Sequence, residues 1–131
     1  MLQRAETPVK LAGVEASRAF FATCFKSARP QTLMVAHLDE QARCIHLSTF
    51  DDGHGSAGLP IREILADAAR LVSAGIVLAH SQTGDPSSPD PTDRDAVRRL
   101  ARAADAIDVT VVDHLVLAGE RCSSFRRMGL L

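Results

Sequence analysis

Residues 76–79 read Ile76-Val77-Leu78-Ala79, a short apolar run with no polar alternation, set between Gly75 and His80. Such a run is the mark of a strand buried on both faces, and a strand covered on both sides needs packing layers above and below it. The chain must therefore build a sheet between helices. Its composition agrees. Tryptophan and tyrosine are absent and only five phenylalanines occur, so the core has to come from Leu, Val, Ile and Ala. Small side chains of that kind suit helices packed closely on a sheet. At 131 residues the chain is long enough to bury such a core as a single compact domain.

The remaining elements follow from periodicity. Residues 1–12 read as a loose lead-in. Over residues 14–27, Phe21, Cys24 and Phe25 fall on one helical face, which Arg29-Pro30 ends. Residues 33–38 and 43–50 are β-rich and joined by Asp39-Glu40-Gln41-Ala42, which predicts a hairpin. Residues 51–58, rich in Gly and Asp, read as a loop. Pro60 suits a first helical turn, and Ile61, Ile64, Leu65, Ala68, Leu71 and Val72 trace one face of a helix that Gly75 is expected to close. After His80, residues 81–92 hold three prolines and no periodicity. Long loops of this kind inside compact domains are functional or disordered. A helix is expected over residues 93–106 with Val97, Leu100, Ala104 and Ile107 inward, then a strand over residues 108–118 and a short last strand within residues 123–128. No internal repeat or low-complexity tract occurs.

Charge and cysteine usage narrow the function classes. Fifteen basic residues against sixteen acidic ones give a net charge of −1, so the counterion release that drives general nucleic-acid binding is missing. Arg94, Arg98 and Arg102 form a stripe with Arg99 beside it, but Asp93, Asp95 and Asp105 interleave with it, as on a solvated helix face. Cys24, Cys44 and Cys122 are odd in number and show no CxxC spacing, which gives neither a disulfide framework nor a zinc knuckle. The N-terminus lacks the apolar region of a signal peptide, and no stretch reaches the ~18 apolar residues of a membrane span. A soluble, cytoplasmic protein is the expectation.

A strand that ends in His80 and opens onto a long loop places a polar side chain where open α/β sheets collect ligands. Gln82 follows two residues on, and Asp93 stands at the expected start of the next helix. Residues 80–93, HSQTGDPSSPDPTD, resemble the JAMM signature, which RadC-type proteins write HNHPSGxxxPSxxD. The spacing matches without a gap. His80 and Gln82 fall on the two histidines, Asp93 on the aspartate, Pro89 on the family proline and Asp90 on the serine. The flanks resemble the same family in order: Pro60-Ile61-Arg62-Glu63-Ile64, the strand ending at His80, Arg98-Arg99-Leu100, Val112-Asp113-His114-Leu115-Val116 and Ser124-Phe125-Arg126-Arg127-Met128. Residues 30–131 are thus similar to the RadC-type JAB/MPN domain, with residues 1–29 as lead-in and first helix. The resemblance implies an MPN-type (cytidine-deaminase-like) α/β fold, a mixed sheet between helices.

In intact members of that family two histidines and the aspartate hold a zinc with water in the fourth position, and a glutamate on an earlier strand is the general base. Three protein ligands leave an open position where the metal lowers the pKa of water to about 7. Here Gln82 replaces an imidazole with an amide oxygen, a poorer zinc ligand. The strand His46-Leu47-Ser48-Thr49-Phe50 holds no glutamate, and Glu40 and Glu63 lie in the hairpin turn and the next helix. Asp90 would repel the negative charge that the family serine is expected to stabilise. His80, Gln82 and Asp93 therefore mark a degenerate metal site. The expectation is zinc absent or weakly bound, no assignable catalytic residue, and a catalytically impaired pseudoenzyme acting as an interaction module.

Two alternatives stay open. A rebuilt zinc metallohydrolase site could recruit His54, with Asp51, Asp52 and Asp90, although Asp-Asp-Gly-His-Gly also suits a solvated turn. A nucleic-acid accessory role is the second, because the family's name comes from DNA repair. The helix-hairpin-helix segment that full-length members carry ahead of this domain is not expected here. A zinc deaminase would need His-x-Glu with Pro-Cys-x-x-Cys, and the sequence has neither. His114, His37 and His46 are assigned structural roles. A homodimer is expected through the first helix, where Phe20 adjoins the Phe21–Phe25 face, or through the apolar tail at Leu130.

Overall fold

A computed structural model describes residues 9–27, 32–50, 59–82 and 91–131. The described elements are α1 (Val14–Cys24), β1 (Leu33–Leu38), β2 (Cys44–Phe50), α2 (Ile61–Leu71), β3 (Gly75–Ser81), α3 (Pro91–Asp105), β4 (Thr110–Ala118) and β5 (Arg121–Ser124), with a single 3₁₀ turn at Phe25–Ser27 after α1. The strands form one mixed sheet in the order β2-β1-β3-β4-β5. The β3–β4 pair is parallel and the other pairs are antiparallel. That is the expected α/β architecture. The parallel pair requires a crossover, which α3 supplies.

Alternation along β3 divides the core in two. Ile76 and Leu78 face α2 and α3, where they join Leu33, Val35, Ile64, Ala68, Leu100 and Ala104. Val77 and Ala79 face α1, where they join Leu11, Phe21, Met34, Ala36, Leu115 and Leu117. Strand β3 is thus buried from both sides, as its unbroken apolar run requires. Phe20 and Leu130 are half-buried against these cores.

Several details differ from the sequence expectation. Gly75 does not close α2. Val72 does, in the left-handed conformation (φ 53°, ψ 47°), with its side chain 85% exposed rather than on the apolar face. Gly75 instead opens β3, where a Cβ would lie 3.2 Å from Val112 Cγ2 and 3.3 Å from Thr110 O. Ile107 is exposed, because α3 stops at Asp105 and Asp108 turns the chain at φ 60°. The last strand comes earlier than expected, and residues 125–129 form turns.

The crowding at Gly75 has a purpose in the register. Ile76 pairs with Val111 but Val77 pairs with Asp113, so Val112 is an extra residue on β4. A one-residue bulge flips every following side chain to the other face. It turns His114 and Val116 toward α3, on the same face as Leu78 and His80. The tail clasps this bulge. Arg126 Nε donates to Val112 O (2.6 Å) and its Nη2 to Val111 O (3.4 Å). Asp113 accepts from the backbone N–H groups of His114 (2.7 Å) and Arg126 (3.1 Å) and from the Ser124 hydroxyl (2.5 Å). Ser124, the last residue of β5, and the turn at Phe125-Arg126 thus fasten β4.

Candidate functional site

The site grows from the carboxyl end of β3. His80 leaves the strand half-buried on the α3 side, and Gln82 is held beside β4 by its backbone N–H, which donates to Leu117 O at 2.9 Å. Two bonds fix the His80 ring. Its Nδ1 lies 2.8 Å from His114 Nε2, and its Nε2 lies 3.4 Å from Gln82 Oε1. The two imidazoles meet edge to face, with centroids 5.0 Å apart. His114 in turn stacks on Phe125 at 4.7 Å and 15°. Phe125 is fully buried with Val97 of α3 and Val116 of β4, so it forms a rigid backing.

Both histidines are held neutral. Burial pushes the pKa of His80 down, with the Asp93 carboxylate and the Gln82 bond opposing it. Burial, and then the neighbouring His80, push His114 well below the ordinary range. Proton positions follow from this. His114 Nδ1 is buried and makes no hydrogen bond. A bare lone pair there costs less than an orphaned N–H, which favours the tautomer in which His114 Nε2 donates to His80 Nδ1. His80 then carries its own proton on Nε2 and donates it to Gln82 Oε1. Each bond has one donor and one acceptor.

Asp93 lies in the first turn of α3 and acts electrostatically on His80, so three positions with the JAMM spacing do share one end of the sheet. Among the described residues, no three His, Cys, Asp or Glu side chains are grouped so as to hold a metal ion. Asp90, His54, Asp51 and Asp52 lie outside the described residues. Glu40 is exposed in the β1–β2 turn and Glu63 is exposed on α2, while β2 supplies only His46, Ser48 and Thr49 as polar side chains besides Cys44. The family model for the RadC-like JAB domain matches residues 12–130. This chain belongs to the RadC-like JAB domain family. Curated relatives agree. It is 28% identical to the UPF0758 protein YfjY of Escherichia coli strain K12, over 96% of this chain and 79% of that protein. It is 29% identical to the UPF0758 protein PSHAa2643 of Pseudoalteromonas translucida and 27% identical to the UPF0758 protein Bpet3149 of Bordetella petrii. Those matches cover 81% and 87% of this chain but only 48% and 51% of those proteins, so the chain spans about half the length of these two.

Sequence reasoning placed His114 outside the zinc motif, as a structural residue of this JAB domain. Geometry brings it into direct contact with the first motif histidine, 34 positions away. Adjacency in the strand order, together with an uncounted bulge, decided that contact, and neither has a signature in a single sequence. His37 Nδ1 bonds Ser73 Oγ at 2.9 Å, and its ring lies 5.9 Å from that of His46. The cysteines are partly buried free thiols whose pKa values burial pushes up. No described helix is long and apolar enough to cross a membrane.

Proposed function

We propose that this RadC-like JAB domain is a metallopeptidase scaffold that no longer assembles a catalytic zinc and that acts as an interaction module. The observation that carries the reading is the state of His80. Both of its ring nitrogens are already engaged, one by His114 and one by the Gln82 amide. A zinc ligand must offer a lone pair at about 2.0–2.1 Å. The donor chemistry also fits a catalytic zinc poorly: one imidazole, one amide oxygen and one carboxylate replace the pair of imidazoles and a carboxylate. No step of metal-assisted hydrolysis is derived from this set. Among the described residues both cores are filled and the β4 bulge is clasped, which suits binding better than decay.

Metal analysis tests this. Protein purified without added metal and mildly dialysed should carry zinc well below one equivalent per chain. Stoichiometric zinc that survives a chelator would overturn the reading and point to a rebuilt site using His54, Asp90 or the Asp51-Asp52 pair.

A further inference from the structure

The end of the sheet opposite His80 carries a cleft. The last turns of α3, the first residues of β4 and the turn after β5 border a space of about 300 Å³, the low end for ligand pockets. Val109 and Val111, both buried, line its base, and Leu131 gives it an apolar wall. Arg102 and Asp105 line it from α3 and Arg126 from the tail. All three are exposed, so the cleft opens to solvent.

Arg126 is built into this cleft. Its Nε donates to Val112 O (2.6 Å) and its Nη2 to Val111 O (3.4 Å), so two of the five guanidinium N–H groups fix the plane of the fork. Among the described residues the other three find no acceptor, and neither Arg102 nor Arg126 is ion-paired with Asp105 or any other carboxylate. A guanidinium held by its own chain has already lost its rotamer freedom, so an anion binding there does not have to order it.

We propose that the cleft captures the carboxyl terminus of a partner polypeptide that ends in an aliphatic residue. The terminal carboxylate accepts hydrogen bonds from the free side of the Arg126 fork, with the Arg102 charge nearby, and the last side chain packs on Val109, Val111 and Leu131. Asp105 disfavours other anions, because a phosphate dianion or a nucleic-acid strand brings more negative charge against it than one chain terminus does. The open rim disfavours a free small acid. Pockets for small molecules enclose most of their ligand, whereas a chain end needs only its last residue held. The proposal rests on the interaction-module reading for its kind of partner. Zinc content can overturn that reading without touching the cleft, and a peptide titration does the reverse.

Nuclear magnetic resonance titration of the intact, isotope-labelled chain with acetyl-Gly-Val-Leu, up to millimolar peptide, tests it. The free-carboxyl peptide should shift the amide signals of Ala101, Val109 and Val111 and the side-chain Nε–H of Arg126, and leave those of β1 and β2 in place. The same peptide ending in a carboxamide should shift none of them. Arg102→Glu, at an exposed side chain, should weaken binding by about threefold. Arg126→Gln should weaken it by about tenfold, and where that variant loosens the β4 bulge, Arg102→Glu decides alone. No shift at these signals with the free-carboxyl peptide overturns the proposal, and so do equal shifts with the carboxamide. Inorganic phosphate or acetylleucine binding as tightly as the peptide overturns the choice of a polypeptide end.

Discussion

Two histidines on the face of the sheet that packs against α2 and α3, His37 buried and His80 half-buried, have come to different ends. His80 stands at the carboxyl end of β3, and His37 stands on β1 opposite Ile76, near the amino end of β3. Each has a ring nitrogen bonded by a neighbour, and each lies in a pair whose far nitrogen is buried without a partner: His37 Nε2 at one end, His114 Nδ1 at the other. The surroundings differ. At His37 the chain leaving α2 closes the end of the sheet, and Ser73 caps the ring from that closure. At His80 the strand runs out toward the start of α3, so an amide, a carboxylate and a second imidazole converge there. A buried histidine becomes a candidate site where the fold leaves room for donors from other segments. Where a helix end seals it, it remains a core residue.

The largest effect should come from removing the backing of the His80 end. Phe125→Ala should destabilise the domain by about 3–5 kcal/mol, as a large-to-small change in a packed core, read from urea unfolding. A loss under ~1 kcal/mol would mean that the stack on His114 carries little.

Acid should test the sealed end next. Burial lowers the pKa of His37 from 6.5 to about 4, with Asp67 opposing and His46 and Arg70 adding to the shift. The unfolded chain therefore binds the proton more readily between those values. Stability is full above pH 6.5 and falls as the pH drops toward 4, by roughly 3 kcal/mol from this group. His80 and His114 act in the same direction. Urea midpoints measured from pH 7 to pH 4 should show the fall, and His37→Asn should flatten part of it. An unchanged slope in that variant would assign the acid sensitivity to the His80 end alone.

Gln82→His should sharpen the contrast from the open end. It replaces the amide that caps His80 with a second imidazole, so zinc affinity should rise by about 10- to 100-fold or more in calorimetric titration, with little change in metal-free stability. An affinity equal to that of the parent would mean that the ligand set is limited by something other than position 82. The smallest effect lies beside Ser73. Val72 is β-branched, exposed and left-handed, so Val72→Gly should stabilise by about 1 kcal/mol. A thermal melt would register this, and a loss of stability would show that Val72 has a contact the geometry does not reveal.

Much of this chain was legible before any coordinates. Strand β3, the hairpin, α2 and the inward face of α3 at Val97, Leu100 and Ala104 follow from local periodicity, because burial imposes a repeat of two or of 3.6 on the residues themselves. The family, and the alignment of His80, Gln82 and Asp93 on its motif, were legible too, because spacing along one loop is a property of the chain. Element ends were less so. Gly75 and Val72 exchanged roles because a left-handed cap tolerates valine at a cost, while the glycine was needed to make room for the bulged Val112. The contact of His114 with His80 and the clasp of Arg126 on the bulge belong to the tertiary structure alone. Each depends on which strands lie side by side, in what register and with what extra residue. Those choices are settled by packing between segments distant in sequence, and they leave no periodic trace in either segment read by itself.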